Sequence, residues 1–198
     1  MDKRTKIHKE GAGRHQLKKI VADLLEHDDF HAAMDVLLSF PARRVVSPLI
    51  GFLYRRGDKR QQRAIDAIGM VTADLAKTDM ESARVIMRRL MWSLNDESGG
   101  IGWGAPEAMG EIMARHKGLA DEYHKILFSY INPKGGNYLE HDALRLDALR
   151  GIERLVRSRP ELAGEFADHF IPFSNSQDGN VRGIVSRIAK STGMSRDL

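Results

Sequence analysis

The stretch from Asn95 to Ile112 combines the groups from which a ligand site can be built. "NDESGGIGWGAPEAMGEI" sets Gly99, Gly100, Gly102 and Gly104 around Trp103, with Asp96 and Glu97 before them and Glu107 and Glu111 after. Glycine-freed backbone amides beside a helix N-terminus suit an anion or a peptide carboxylate. The acids at 96, 97 and 107 suit a cationic group or a divalent metal better. A third reading needs no ligand: glycines shape a long turn through positive φ, Trp103 packs on helix ends, and Pro106 fills the first turn of the next helix. Gly100-Ile101-Gly102-Trp103-Gly104 superficially matches a dinucleotide fingerprint, but that motif needs a strand before it and other glycine spacing. The preceding "ESARVIMRRLMWSL" is helical in pattern, and no Lys-Ser or Lys-Thr follows, so a P-loop fails as well.

Other chemistry is sparse. His27 and His31 are four apart in "EHDDFH", a spacing that chelates zinc on one continuous helix. Asp28-Asp29 starts a new helix there, however, which turns the two rings apart. The remaining six histidines show no ligand spacing. The chain has no cysteine, which removes disulfides, thiolate catalysis and Cys-ligated metals. We expect no catalytic set, no metal and no cofactor.

The elements that must position these groups are helical. Sustained period-2 alternation is absent, whereas stripes of helical period recur: Leu17, Ile20, Val21, Leu24, Leu25; Ile65, Ile68, Val71, Leu75; Leu144, Ala148, Leu149, Ile152, Leu155. The 198 residues suffice for one well-buried domain, and no apolar run reaches membrane-spanning length. A cytoplasmic location is the default expectation. The net charge is +4, of which +3 falls in Met1–Arg14. Residues 1–14 therefore read as a flexible basic arm hinged at Gly11-Ala12-Gly13, and the body is close to neutral.

The helices repeat. Ala67, Ala108, Ala148 and Ala189 lie 41, 40 and 41 residues apart. An acid precedes each of the first three (Asp66, Glu107, Asp147), and Gly69 aligns with Gly110. First helices are expected at Val45–Arg55, Met80–Leu94, Asp121–Ile131 and Glu161–Phe170. Second helices are expected to start near Asp58, Ala105, His141 and Asp178. Asp58 and Asp178 are good caps, and Pro41, Pro48, Pro133, Pro160 and Pro172 fall at or near junctions. A shorter pair, His15–His27 and Phe30–Phe40, precedes these. Small residues at this interval let stacked helix pairs approach closely. In this register Ala108 is a contact position and Glu111 a solvated one.

"RQQRAIDAIGMV", "GAPEAMGEIM" and "DGNVRGIVSRIA" resemble the second helices of HEAT repeats. The likeness covers about residues 15–194 and extends to uncharacterised bacterial HEAT-repeat proteins with a similar glycine-tryptophan loop. It implies an all-α, right-handed α-solenoid of about five HEAT-like pairs (15–40, 45–77, 80–118, 121–159, 161–194) within a single domain, 15–198. It also implies that the second helices line a concave face. Asp66, Glu107, Glu111 and Asp147 then form an acidic row. Lys77, Arg115, Arg154 and Arg157 form a basic one, strengthened by Arg145, Arg150, Arg182 and Arg187. These charges suit either plain solvation or a groove for a charged peptide or helix. Asp66, Glu107, Glu111, Asp147, Arg115, Arg150 and Arg154, with Trp92, Asp96, Glu97 and Trp103, make up the candidate binding set.

The expected function is a non-catalytic scaffold or adaptor for a protein or peptide partner, with no membrane partner and no defined oligomeric state. The alternative is nucleic-acid binding. Alkylpurine DNA glycosylases use a HEAT groove with tryptophans and an aspartate, parts that Trp92, Asp96 and Trp103 could fill. The acidic row and the near-neutral body oppose that reading. Lyases attaching bilins also carry HEAT-like repeats, but nothing in this sequence specifies a bilin pocket.

Overall fold

The computed structural model describes residues 13–95 and 102–194. Asp96, Glu97 and nearly all of the basic arm (residues 1–12) lie outside the described residues. Within them the chain is all-α. Ten α-helices run in order: α1 Arg14–Glu26, α2 Phe30–Leu38, α3 Ala42–Leu53, α4 Lys59–Ala76, α5 Met80–Trp92, α6 Ala105–Arg115, α7 Lys117–Ser129, α8 Asp142–Ser158, α9 Ile171–Ser174 and α10 Gly179–Thr192. A 3-10 turn, Ser93–Asn95, extends α5, and a 3-10 stretch, Pro160–Phe170, precedes α9.

The four expected second-helix starts coincide with observed ones, because each has a device that begins the helix there. Asp58 accepts from the Arg60 N–H at 2.9 Å and Asp178 from the Asn180 N–H at 2.8 Å. His141 caps α8 by accepting from the Ala143 N–H at 3.2 Å. Gly104 begins α6 in the left-handed region, φ +70, with Pro106 in the first turn.

Two expectations about prolines and the last pair need correction. α3 begins at Ala42 on a Pro41 cap, three residues before Val45, so Pro48 lies inside the helix. The segment expected as an α-helix over Glu161–Phe170 is instead a 3-10 stretch followed by the four-residue α9. Pro172 sits in the first turn of α9, where its missing N–H does little harm. Phe166, stacked on Phe128 at 4.3 Å, anchors that stretch to α7.

α4 packs on α6, α6 on α8, and α8 on α10, while α3, α5 and α7 each pack on the helix that follows them. α1 lies against α2, α3 and α4. The centre of this arrangement is α6, in which every residue from Ala105 to Met113 is buried. Ala67, Ala108 and Ala148 are fully buried and Ala189 nearly so.

The tightest approach falls on glycines rather than on those alanines. A methyl group at Gly110 would collide with the backbone of Gly151, and one at Gly151 with the Pro106 carbonyl. Gly69 sits equally close to the Glu111 side chain. Gly69, Gly110 and Gly151 recur every 41 residues, one step out of phase with the alanines at the third copy. The α6–α8 seam is therefore backbone against backbone, which holds side chains on the two helices in fixed register.

Candidate functional site

At the described end of the glycine–tryptophan loop, a backbone donor is taken up by one of the protein's own carboxylates. The Gly104 N–H, at the N-terminus of α6, donates to the Asp147 carboxylate of α8 at 2.9 Å. The Arg56 guanidinium approaches the other Asp147 oxygen at 3.5 Å and also lies 4.6 Å over the Trp103 ring. The His141 ring meets Trp103 edge-on at 4.9 Å. Burial pushes the Asp147 carboxyl above the usual carboxylate range, opposed by the Gly104 N–H and the charges of Arg56 and Arg150. The loop's expected donor is thus used internally, and Trp103 is held between Arg56 and His141 as a clamp across three pairs of helices.

The acidic and basic rows interlock rather than running side by side. Arg154, on α8, reaches Asp66 of α4 at 2.8 Å through Nη1, Glu107 of α6 at 3.0 Å through Nε, and Glu111 of α6 at 2.7 Å through Nη1. Gln62 donates to Glu107 at 2.9 Å, and Arg115 pairs with Glu111 one turn away at 2.5 Å. Glu111 is therefore buried and paired, not solvated: the tight seat of Gly69 against its side chain brings it into the α4–α6 seam. Burial raises the Asp66 carboxyl despite the Arg154 charge. Burial works against the charge on Arg154 itself, but Glu107, Asp66 and Glu111 outweigh it and raise the guanidinium further.

Toward the C-terminus the balance reverses. Glu153 of α8 is buried and is shared by Arg157, at 2.5 Å, and by Arg187 of α10, at 2.7 and 3.1 Å. Burial pushes the Glu153 carboxyl up, but the Arg187 hydrogen bond and the charges of Arg157 and Arg187 overcome this and leave it lowered. Arg150 meets Asp147 only at 3.9 Å. A cleft of about 370 Å³ opens here, lined from four helices: Gln62 of α4, Glu107 of α6, Arg150, Glu153, Arg154 and Arg157 of α8, and Asn180, Ile184 and Arg187 of α10.

Several residues of the expected basic row, and Trp92, stand elsewhere. Arg145 ties down the loop before α8, donating to the Leu139 and Glu140 carbonyls, and Arg182 does the same for Ser176 and Gln177. Lys77 pairs with Asp74 at the surface. Trp92 is 69% exposed and edges a separate groove of about 530 Å³ with Tyr130, Tyr138 and Leu144. His27 ends α1 and His31 lies on α2, so a helix break separates the two rings as expected. Glu153, Gln62 and Arg56 were not singled out from the sequence. For Glu153 a signal existed, an acid one helical turn before Arg157 within an arginine-rich stripe; for Gln62 there was none.

No helix among the described residues is long and apolar enough to cross a membrane. The chain matches no protein-family model, no curated protein and no solved structure.

Proposed function

We propose that this chain is a HEAT-like right-handed α-solenoid acting as a non-catalytic binding scaffold, and that a polypeptide partner lies along the groove of its second helices. One observation carries this reading: α4, α6, α8 and α10, second helices of consecutive pairs, all contribute to a single open cleft. A surface assembled from successive repeats suits an extended partner better than a compact substrate. The acids of the groove are occupied by the protein's own arginines, and the exposed charge that remains is positive. The partner segment is accordingly acidic.

The test is affinity capture with the full chain, comparing wild type with Arg150→Glu/Arg157→Glu. A stoichiometric partner with an acidic segment, lost from the double reversal, is the expected result. Because Arg157→Glu sets a second carboxylate beside buried Glu153, Arg150→Gln/Arg157→Gln serves as the milder companion, and both variants are checked for a cooperative thermal melt before capture.

The groove arginines favour a second reading, nucleic-acid binding. It predicts tight duplex binding whose affinity collapses steeply with salt. The scaffold reading predicts weak binding and a shallow slope. Trp103 is already engaged within the protein, by Arg56 over its ring and by an edge contact with His141, which opposes a role in holding a flipped base.

A further inference from the structure

We propose that the cleft rimmed by Arg150, Arg157 and Arg187 binds a phosphate monoester dianion carried on a polypeptide, which rests on the scaffold reading above. Arg150, Arg154 and Arg157 fall at spacings of four and three on α8, so they form one stripe facing the cleft. Arg187 meets them from α10, and Asn180 stands at the N-terminal turn of that helix. Four arginines and two glutamates line the cleft, a surplus of two positive charges.

The arginines are unequally engaged. Arg154 has Nε and Nη1 committed to three carboxylates and serves as the floor. Arg157 uses one terminal nitrogen on Glu153, with its side chain 61% exposed. Arg187 holds Glu153 through Nε and Nη2, with half of its side chain in solvent. Arg150 has no close carboxylate among the described residues, because Asp147, 3.9 Å away, is already held by the Gly104 N–H and approached by Arg56.

A single carboxylate is satisfied by one guanidinium fork, and a phosphodiester carries one charge. A phosphate monoester carries nearly two above its second pKa of about 6 and presents three acceptor oxygens. That charge and donor demand match two or three partly free guanidinium groups converging on one cleft. The cleft runs open from Gln62 to Ile184, which leaves room for the chain that bears the phosphate on either side.

The test is calorimetric titration of the full chain with phenyl phosphate at about pH 7.5 and ~0.15 M salt. Dimethyl phosphate and benzoate serve as monoanions. Saturable binding of phenyl phosphate is expected, with both monoanions about tenfold weaker. Arg150→Ala and Arg187→Ala should each weaken binding about tenfold, Arg150→Ala with no change in melting temperature and Arg187→Ala with only a small fall, while Lys190→Ala, outside the cleft, leaves binding unchanged. Affinity should fall below about pH 6 as the second phosphate proton returns. A degenerate phosphoserine peptide mixture should displace phenyl phosphate, and its unphosphorylated counterpart should not.

The proposal is overturned if phenyl phosphate fails to saturate, if monoanions bind equally, or if both arginine variants bind as wild type. It is also overturned if phosphoserine peptides do not compete, or if duplex DNA binds more tightly than they do. Failure of phosphate binding with continued, charge-dependent capture of a polypeptide would sink this site and leave the scaffold standing. Phosphate binding that no polypeptide shares would sink both.

Discussion

Two neighbouring charge clusters on the same helices behave in opposite ways. Around Arg154, three carboxylates from α4 and α6 face two arginines, and every acid is held by a short ion pair. Around Glu153, one carboxylate faces Arg157 and Arg187, with Arg150 nearby and scarcely engaged. The first cluster is closed and partly buried; it fixes how α4, α6 and α8 sit together. The second is open, and its excess charge faces a cleft. Packing around each helix explains the difference. α6 is covered on all sides, so its acids had to be neutralised internally. α10 is the last helix described, and among the described residues its Arg187 keeps half of its side chain in solvent.

The largest expected effect lies in the closed cluster. Arg154→Leu leaves Asp66, Glu107 and Glu111 gathered without their common cation, and should cost about 3–5 kcal/mol in a chemical-denaturation measurement. The matching change in the open cluster, Arg187→Leu, should cost below about 1 kcal/mol, since half of that side chain is in solvent. Equal losses would remove the distinction between the two.

Next comes the seam that holds the closed cluster in register. Gly110→Ala drives a methyl group into the Gly151 backbone and should destabilise by about 1–3 kcal/mol, or more if the helices cannot part. Gly51→Ala, whose added methyl meets nothing within 4 Å on α3, should instead stabilise by about 0.5–1 kcal/mol. Thermal melts of the two variants should therefore move in opposite directions.

The smallest effect is on acid stability. The Glu153 carboxyl is lowered on folding, so its contribution is present above the unfolded carboxylate range and is lost as pH falls through the folded value. Glu153→Gln should make the acid limb of the stability curve shallower. The Asp66 carboxyl is raised, so the cost of keeping it charged is relieved as pH falls from that raised value toward 3.8. Asp66→Asn removes that relief and should make the acid limb steeper. A shift of the same sign in both variants would contradict the assigned environments.

Much of the local architecture was legible in the sequence because it is set by local chemistry. Asp58, His141 and Asp178 cap helices through their own side chains, and Gly104 needs its φ of +70 whatever surrounds it. The 3-10 character of the segment from Pro160 is not legible in the sequence, because its apolar spacing suits either helix type. The fate of the charges was less legible. Asp66, Glu107, Glu111 and Asp147 line up in the sequence as one row, yet three meet Arg154 and the fourth meets Gly104. That division depends on how closely α6 and α8 approach, which Gly110 and Gly151 set across 41 residues. An acid's partner on another helix leaves no mark beside it in the chain.

The most direct measurement is a phenyl phosphate titration followed through the arginine Nε–Hε signals of the labelled protein. The account predicts that Arg150, Arg157 and Arg187 shift together on one binding curve, while Arg154, already committed to three carboxylates, stays nearly still. Movement of Arg154 equal to theirs, or silence from all four, would contradict the division between a closed cluster and an open one.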